Sequence, residues 1–320
     1  MNLLRKFYKT IKTLIFARKS KGISILTYHG LVDEITNVRL QRNFHTISQF
    51  EAHILFLKKR KYKFLNANEL AYFIDNPKEI KSQKMVCVTF DDGYQNNLKA
   101  IEILNKNEVS GIFFITSNAI NDQTSIWTVN LSLLILEGSI NKIIFNTKEY
   151  QISSYDERLG LFNIIRNRLK EVNSKTRNFL FNEILNQFPE NELKQLLDKH
   201  NYFKMLTWND IREVQNENIQ FHSHGHFHEI HHQNQDMETL KNEISISKKI
   251  IEENLKSNVF LFAYPNGNYK ASSAIFLDQE GYKGALILQE NKYTAKSDKY
   301  YIPRITPNGK INKFKNQMFN

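Results

Sequence analysis

Met85-Val86-Cys87-Val88-Thr89-Phe90-Asp91-Asp92-Gly93-Tyr94 is the stretch on which the reading of this chain turns. Its first six residues are apolar or β-branched on both faces, the composition of a strand buried in a parallel sheet. Asp91 and Asp92 then fall at the C-terminal end of that strand, where open and closed α/β sheets collect their chemistry. Two adjacent carboxylates repel, which is costly unless a cation or a shared proton lies between them. An Asp-Asp-Gly turn left in solvent is the bland alternative. A second cluster far downstream, Phe221-His222-Ser223-His224-Gly225-His226-Phe227-His228, argues against it.

On either side of this stretch, strands and helices alternate. Ile23-Ser24-Ile25-Leu26-Thr27-Tyr28-His29 reads as a strand. Residues 50–60 read as a helix capped by Ser48 and Glu51. Residues 62–65 form a short strand and 67–75 a helix; the Asp-Asp strand, a helix over 96–107 and a strand over 111–116 follow. This rhythm predicts an α/β fold with a parallel sheet and outer helices. It stops over residues 121–205, where the pattern is helical apart from a hairpin at 142–152. This segment carries no His, Cys or acidic cluster at ligand spacing and is read as an insertion that covers or shapes a substrate groove. The rhythm resumes with a capped helix at Thr207, a strand over 219–223, a helix over 237–255, and strands over 258–264, 284–288 and 301–305. Residues 23–320 thus form one domain, preceded by a basic helix over residues 1–22. A barrel-like sheet would gather His29, Asp91, Asp92, His224, His228, Asn266 and Arg304 at one mouth.

Composition narrows the function classes. The 320 residues are 41% hydrophobic and 24% charged, ordinary for a globular chain. The net charge of +11 could signal a polyanionic partner. The lysines are scattered, however, and no RNA- or DNA-binding motif is present, so nucleic acid is not the expected partner. The single cysteine, Cys87, lies inside the apolar strand, which excludes a disulfide-stapled scaffold. The apolar patch Leu14-Ile15-Phe16-Ala17 is too short to span a bilayer and lacks a cleavage site after it. The basic helix around it either packs on the domain or rests on anionic lipid. A cytoplasmic location, with peripheral contact at the inner face of the membrane, is the expectation.

The polar constellation fits one kind of chemistry. One carboxylate and two imidazoles supply three ligands and leave a coordination position open, as in catalytic zinc sites. Two histidine pairs have i, i+4 spacing, His222/His226 and His224/His228. The second is preferred, because His222 alternates with Phe221 at a strand end and Gly225 frees the turn between His224 and His228. With Asp92 on the ion, Asp91 is the general base and His29 a general acid. Backbone N–H groups after Pro265, near Asn266 and Gly267, are candidates for stabilising an oxyanion. Together these parts describe metal-assisted hydrolysis of an amide or ester.

Thr89-Phe90-Asp91-Asp92-Gly93, the His224/His228 pair introduced by Leu206-Thr207-Trp208, and Phe262-Ala263-Tyr264-Pro265-Asn266-Gly267 resemble the successive motifs of the polysaccharide deacetylase family. This is the NodB-homology domain, carbohydrate esterase family 4. Tyr28-His29-Gly30 resembles the start of its permuted branch, which includes the poly-N-acetylglucosamine deacetylases. The resemblance spans residues 23–116 and 206–305. It implies a distorted (β/α)7 barrel with a helical insertion and a divalent metal, usually Zn2+, with Co2+, Ni2+ or Mn2+ as alternatives. It also implies removal of an N-acetyl group from an amino sugar in a glycan or glycan precursor. By the same resemblance Asp91 is the base, Asp92, His224 and His228 hold the metal, His29 is the acid, and Pro265-Asn266-Gly267 lies at the oxyanion site.

The chain departs from the family pattern in places. Ala263 stands where many members carry an Arg, and Arg304 is the candidate to replace it, grouped here with the substrate-binding residues. Asn266 stands where an aromatic is usual. A sugar O-deacetylase or deformylase would use the same parts, and a non-catalytic carbohydrate-binding relic is a third reading. The absence of an export signal points to a lipid- or nucleotide-linked N-acetylated saccharide as partner.

Overall fold

Seven parallel strands pair edge to edge in the order in which they occur along the chain. They are β1 (Ile23–Tyr28), β2 (Met85–Phe90), β3 (Gly111–Ile115), β4 (Ile219–Ser223), β5 (Leu261–Ala263), β6 (Gly284–Leu288) and β7 (Ile302–Arg304). The computed structural model describes residues 21–82 and 84–319, so the basic helix expected over residues 1–22 lies almost entirely outside the described residues. Just past β7, Ile305 donates its N–H to the Ile25 carbonyl at 2.7 Å and accepts the Thr27 N–H at 2.9 Å. That contact brings the last strand back to the first and nearly closes a (β/α)7 barrel. A short strand, Lys63–Phe64, adds to the edge of β2.

The barrel has two apolar layers because successive side chains on a strand face opposite ways. Ile23, Ile25, Met85, Cys87, Ile112 and Phe114 form part of one buried cluster in the interior. Leu26, Tyr28, Val86, Val88, Phe90 and Phe113 belong to the other, beneath the helices. Cys87 is fully enclosed, and burial pushes its thiol pKa upward, which leaves it a packing residue. The same alternation continues beyond the apolar residues. Thr89 and Asp91 follow Cys87 on the inward side of β2, and Arg304 follows Ile302 on β7.

Most elements match the sequence reading, and a few differ for local reasons. The helix expected from residue 50 runs Ile47–Lys59, because Thr46 and Gln49 form the reciprocal cap. The expected cap residue Glu51 instead reaches Lys106 at 3.3 Å. The strand expected over 258–264 is only Leu261–Ala263. A C-terminal helix, Ile311–Phe319, had no counterpart in the reading; it docks by Phe314, whose ring stacks on His53 with centroids 3.9 Å apart. The insertion between β3 and β4 contains the helices Trp127–Glu137, Tyr155–Glu171, Ser174–Leu185 and Glu192–Lys199 and the hairpin Lys142–Phe145/Lys148–Gln151. No helix among the described residues is long and apolar enough to cross a membrane.

Candidate metal centre and active site

The C-terminal ends of β2 and β4 bring Asp92, His224 and His228 together, all three buried. The Nε2 atoms of His224 and His228 lie 3.5 and 3.4 Å from Asp92 Oδ1. Two ligand atoms on a shared tetrahedral ion would stand about 3.4 Å apart at ordinary Zn–N and Zn–O lengths. The donor set therefore fits a divalent ion in both spacing and chemistry. His224 Nδ1 donates to the Ala263 carbonyl at 2.8 Å, which fixes the tautomer and turns the Nε2 lone pair toward Asp92. Burial pushes the His224 imidazole down to about 4, against the pull of Asp91, so it is a neutral ligand at ordinary pH. For Asp92, burial raises the carboxyl pKa, but the hydrogen bond from His228 and the charges of His29, His228 and His224 outweigh it and hold it below its usual range.

The backbone here is unusual in ways that aim the side chains. Asp92 has φ +75°, His228 +58° and Asn266 +59°, left-handed values that side-chain-bearing residues rarely adopt. Gly225, at φ +84°, is a strained place for any other residue, and a Cβ there would stand 2.5 Å from Glu243 Oε2 and push that side chain aside. The buried Glu243 carboxyl group accepts the N–H groups of His226, Phe227 and Glu229 at 3.0, 2.7 and 3.1 Å; burial and the charge of Glu229 push its pKa up to about 8, against the pull of those N–H groups. This one side chain, from the helix Met237–Leu255, therefore shapes the loop that carries His228. From the sequence Glu243 looks like an ordinary polar residue in that helix; the clue was its spacing of four from Thr239 and Ser247, on a helix face that also carries Leu240 and Ile244.

Asp91 lies beside the trio, with Oδ2 3.9 Å from His224 Nε2. Arg304 grips it with two parallel hydrogen bonds, both 2.7 Å. Burial alone would raise the Asp91 pKa, but Arg304 and His224 reverse this and keep it ionised. Arg304 is 0% exposed, lies against the Phe114 ring, and sits behind Asp91 rather than on the cavity wall. That corrects its place among the substrate-binding groups: it orients a carboxylate.

The other expected residues are placed as follows. His29 lines the same cavity as Asp91 and Asp92, and its backbone carbonyl is held by Asn97 Nδ2 at 2.7 Å. Asn266 also lines the cavity, whereas Gly267 uses its N–H on the Tyr264 carbonyl at 2.9 Å and is withdrawn from oxyanion binding. Pro265 has no N–H to offer and is not on the wall, so it serves only to set the turn. The rival histidine pair is elsewhere. His222 packs against Phe260, with ring centroids 4.5 Å apart, and His226 Nδ1 meets Ser117 Oγ at 2.8 Å.

The insertion reaches both the histidine loop and the cavity. Trp127 Nε1 donates to the His228 carbonyl at 3.1 Å. Arg177 grips Glu229, the residue after His228, through a buried ion pair with one contact at 2.6 Å. Thr128, Val129, Phe162, Arg166 and Lys170 of the insertion line the cavity of about 220 Å³ above Asp92.

A sequence model of the polysaccharide deacetylase family matches residues 78–285. The chain belongs to the polysaccharide deacetylase family. Within that family, the peptidoglycan-N-acetylmuramic acid deacetylase PdaA of Bacillus subtilis (strain 168) is 38% identical over 55 residues. That match covers 17% of this chain and 19% of PdaA, about a fifth of the length of the curated relative. Among solved structures, the Streptococcus pyogenes deacetylase PplD in complex with acetate is similar at TM-score 0.62 and 16% identity, over 93% of this chain and 98% of that one. IcaB from Ammonifex degensii is similar at TM-score 0.60 and 13% identity, over 93% and 97%. At such identities these likenesses speak to the shared barrel, and the strand-end Asp-Asp and His positions of this family member rest on its own residues.

Proposed function

We propose that the protein is a metal-dependent hydrolase that removes an N-acetyl group from an amino sugar in a glycan or glycan precursor. The observation that carries this reading is the convergence of Asp92, His224 and His228 beside an Arg304-clamped Asp91 at the floor of one cavity. Family membership supports it, as does the likeness to known deacetylases. Asp92, His224 and His228 would hold a divalent cation, zinc first among the candidates. Bound there, such an ion acidifies a water molecule and polarises the acetyl carbonyl.

The chain's own groups do the rest. Asp91, kept ionised by Arg304, takes the proton of the attacking water. The oxygen adds to the acetyl carbon, and the C–N bond breaks. His29, across the same cavity, gives a proton to the departing nitrogen. The products are acetate and a free sugar amine. Asn266, on the cavity wall in a left-handed turn, is the residue left to supply an N–H to the developing oxyanion. A lipid- or nucleotide-linked substrate met in the cytoplasm or at the inner membrane face belongs to the same proposal.

The test is release of acetate from N-acetylated saccharides by the zinc-loaded protein, with formate and O-linked acetate assayed in parallel. Acetate release with a matching free amine is expected. Formate alone, or acetate without amine, would move the activity to deformylation or O-deacetylation. No product from any sugar, with metal bound, would leave the non-catalytic reading.

A further inference from the structure

The wall of the cavity facing Asp91 and Asp92 carries four cations, Arg39, Arg42, Arg166 and Lys170, from two separate segments of the chain. Among the described residues none of the four has a carboxylate partner. Elsewhere the lysines find acids readily, as Lys63 does with Glu69 at 2.6 Å and Lys283 with Asp75 at 2.8 Å. The two acids in the cavity are already committed, Asp91 to Arg304 and Asp92 to the histidine pair. Arg166 and Lys170 are also i, i+4 neighbours on one helix face, a like-charge spacing that weakens a helix unless something neutralises it.

These cations are held in place. Both Arg39 and Arg166 lie over the Phe162 ring, at 5.1 and 5.4 Å from its centroid. Arg39 reaches Asn163 Oδ1 at 3.0 Å, and Arg166 reaches Asn167 Oδ1 at 3.1 Å; both acceptors are neutral. The loop that carries Arg39 and Arg42 is pinned by the buried Gln41, whose Oε1 accepts the N–H groups of Thr36 and Asn37 at 2.8 and 2.9 Å. Lys170 Nζ meets Asn266 Oδ1, which joins the cationic wall to the Pro265–Gly267 turn at the same cavity. Burial pushes Lys170 down to about 8, and Arg42 and Arg166 add to the shift, as expected of cations crowded without an anion.

We propose that Arg39, Arg42, Arg166 and Lys170 form a binding site for a phosphoryl group of the substrate, so that the acetylated sugar reaching Asp91 and Asp92 is phosphate- or diphosphate-linked. Three planar forks and an ammonium suit a multiply charged tetrahedral anion better than a neutral glycan. The proposal rests on reading the cavity as a deacetylase site, and it can fail separately from that reading.

The experiment measures binding rather than turnover. Zinc-loaded Asp91→Asn protein is titrated with N-acetylglucosamine, N-acetylglucosamine 1-phosphate, UDP-N-acetylglucosamine and a short-chain lipid-diphosphate N-acetylglucosamine. At least one phosphorylated sugar should bind about tenfold or more tighter than the neutral sugar. Adding Arg42→Gln with Arg166→Gln should erase that advantage while the thermal melt stays cooperative. The arm with the greatest advantage distinguishes a nucleotide from a lipid carrier. Equal affinity for neutral and phosphorylated sugars, or an advantage that survives both substitutions, overturns the phosphoryl site even if acetate release is found. Failure of acetate release with the phosphate advantage intact would instead count against the deacetylase reading alone.

Discussion

The floor and the wall of this cavity are built by different means. The floor is a product of strand register. Asp91 and Arg304 are inward positions of β2 and β7, and His224 is held to the end of β5 through the Ala263 carbonyl. Each of these side chains has a partner or a place on the candidate ion, although His228 Nδ1 and Arg304 Nε have no hydrogen-bond partner among the described residues. The wall comes from the loop after β1 and from the helix Tyr155–Glu171 of the insertion, and its cations have no acid to meet. The contrast suggests a division of labour. On the proposed reading the barrel would fix the reaction and the added segments what is brought to it, as is usual for loops on a rigid scaffold.

Removing the floor's base should have the largest effect. Asp91→Asn is expected to lower acetate release by about 10²–10⁴-fold on every substrate while metal content, measured by elemental analysis, is kept. A loss confined to phosphorylated substrates would break the distinction between floor and wall. Arg304→Met comes next. It removes the guanidinium that offsets much of the burial of Asp91, so the apparent pKa of the base in a pH–rate profile should rise; an unchanged profile would mean that Arg304 does not tune Asp91. Arg304→Lys should recover only part of the effect, since an ammonium cannot form the two-pronged grip.

Glu243→Gln probes how the floor is braced. It places an amide donor against backbone N–H groups, at about 1–3 kcal/mol for each group left unsatisfied. Lower metal affinity together with a lower melting temperature is expected; a lower melting temperature with metal affinity intact would make Glu243 a packing residue only. The last effect is a pH dependence of stability, spread over rings outside the candidate metal site. Burial pushes His53, His222 and His231 down to about 3 from an ordinary 6.5. Each is neutral when folded and takes up a proton when unfolded, so the unfolded chain binds more protons between those values. In Glu243→Gln protein, which lacks the opposing titration of the buried Glu243 carboxyl group, stability should therefore be flat above about pH 6.5 and fall as pH drops toward 3, as urea melts at stepped pH would report. Greater stability at pH 5 than at pH 7 would contradict the neutral burial of these rings.

The floor was largely legible in the sequence because its signals are local. A β-branched run ending in two carboxylates names a strand end, and i, i+4 histidines around a glycine name a turn that can present two imidazoles. What escaped depends on distance. Arg304 and Asp91 are 213 residues apart, and their fork exists only once the barrel closes. Arg39 and Asn163 are 124 residues apart, so the cationic wall exists only once the insertion docks. Arg177 and Glu229 likewise give the insertion a hold on the histidine loop that its helical periodicity could not reveal. The Thr46 cap displaced the expected Ser48 because either hydroxyl suits that role and the backbone geometry decides.

The account depends on an ion held between Asp92 and the His224/His228 pair. The most direct measurement is calorimetric titration of zinc into chelator-stripped protein, for the unaltered chain, His228→Ala and His226→Ala. A single tight site is expected in the unaltered chain, abolished by His228→Ala and retained in His226→Ala. Tight binding that survives the loss of His228 but not of His226 would contradict it.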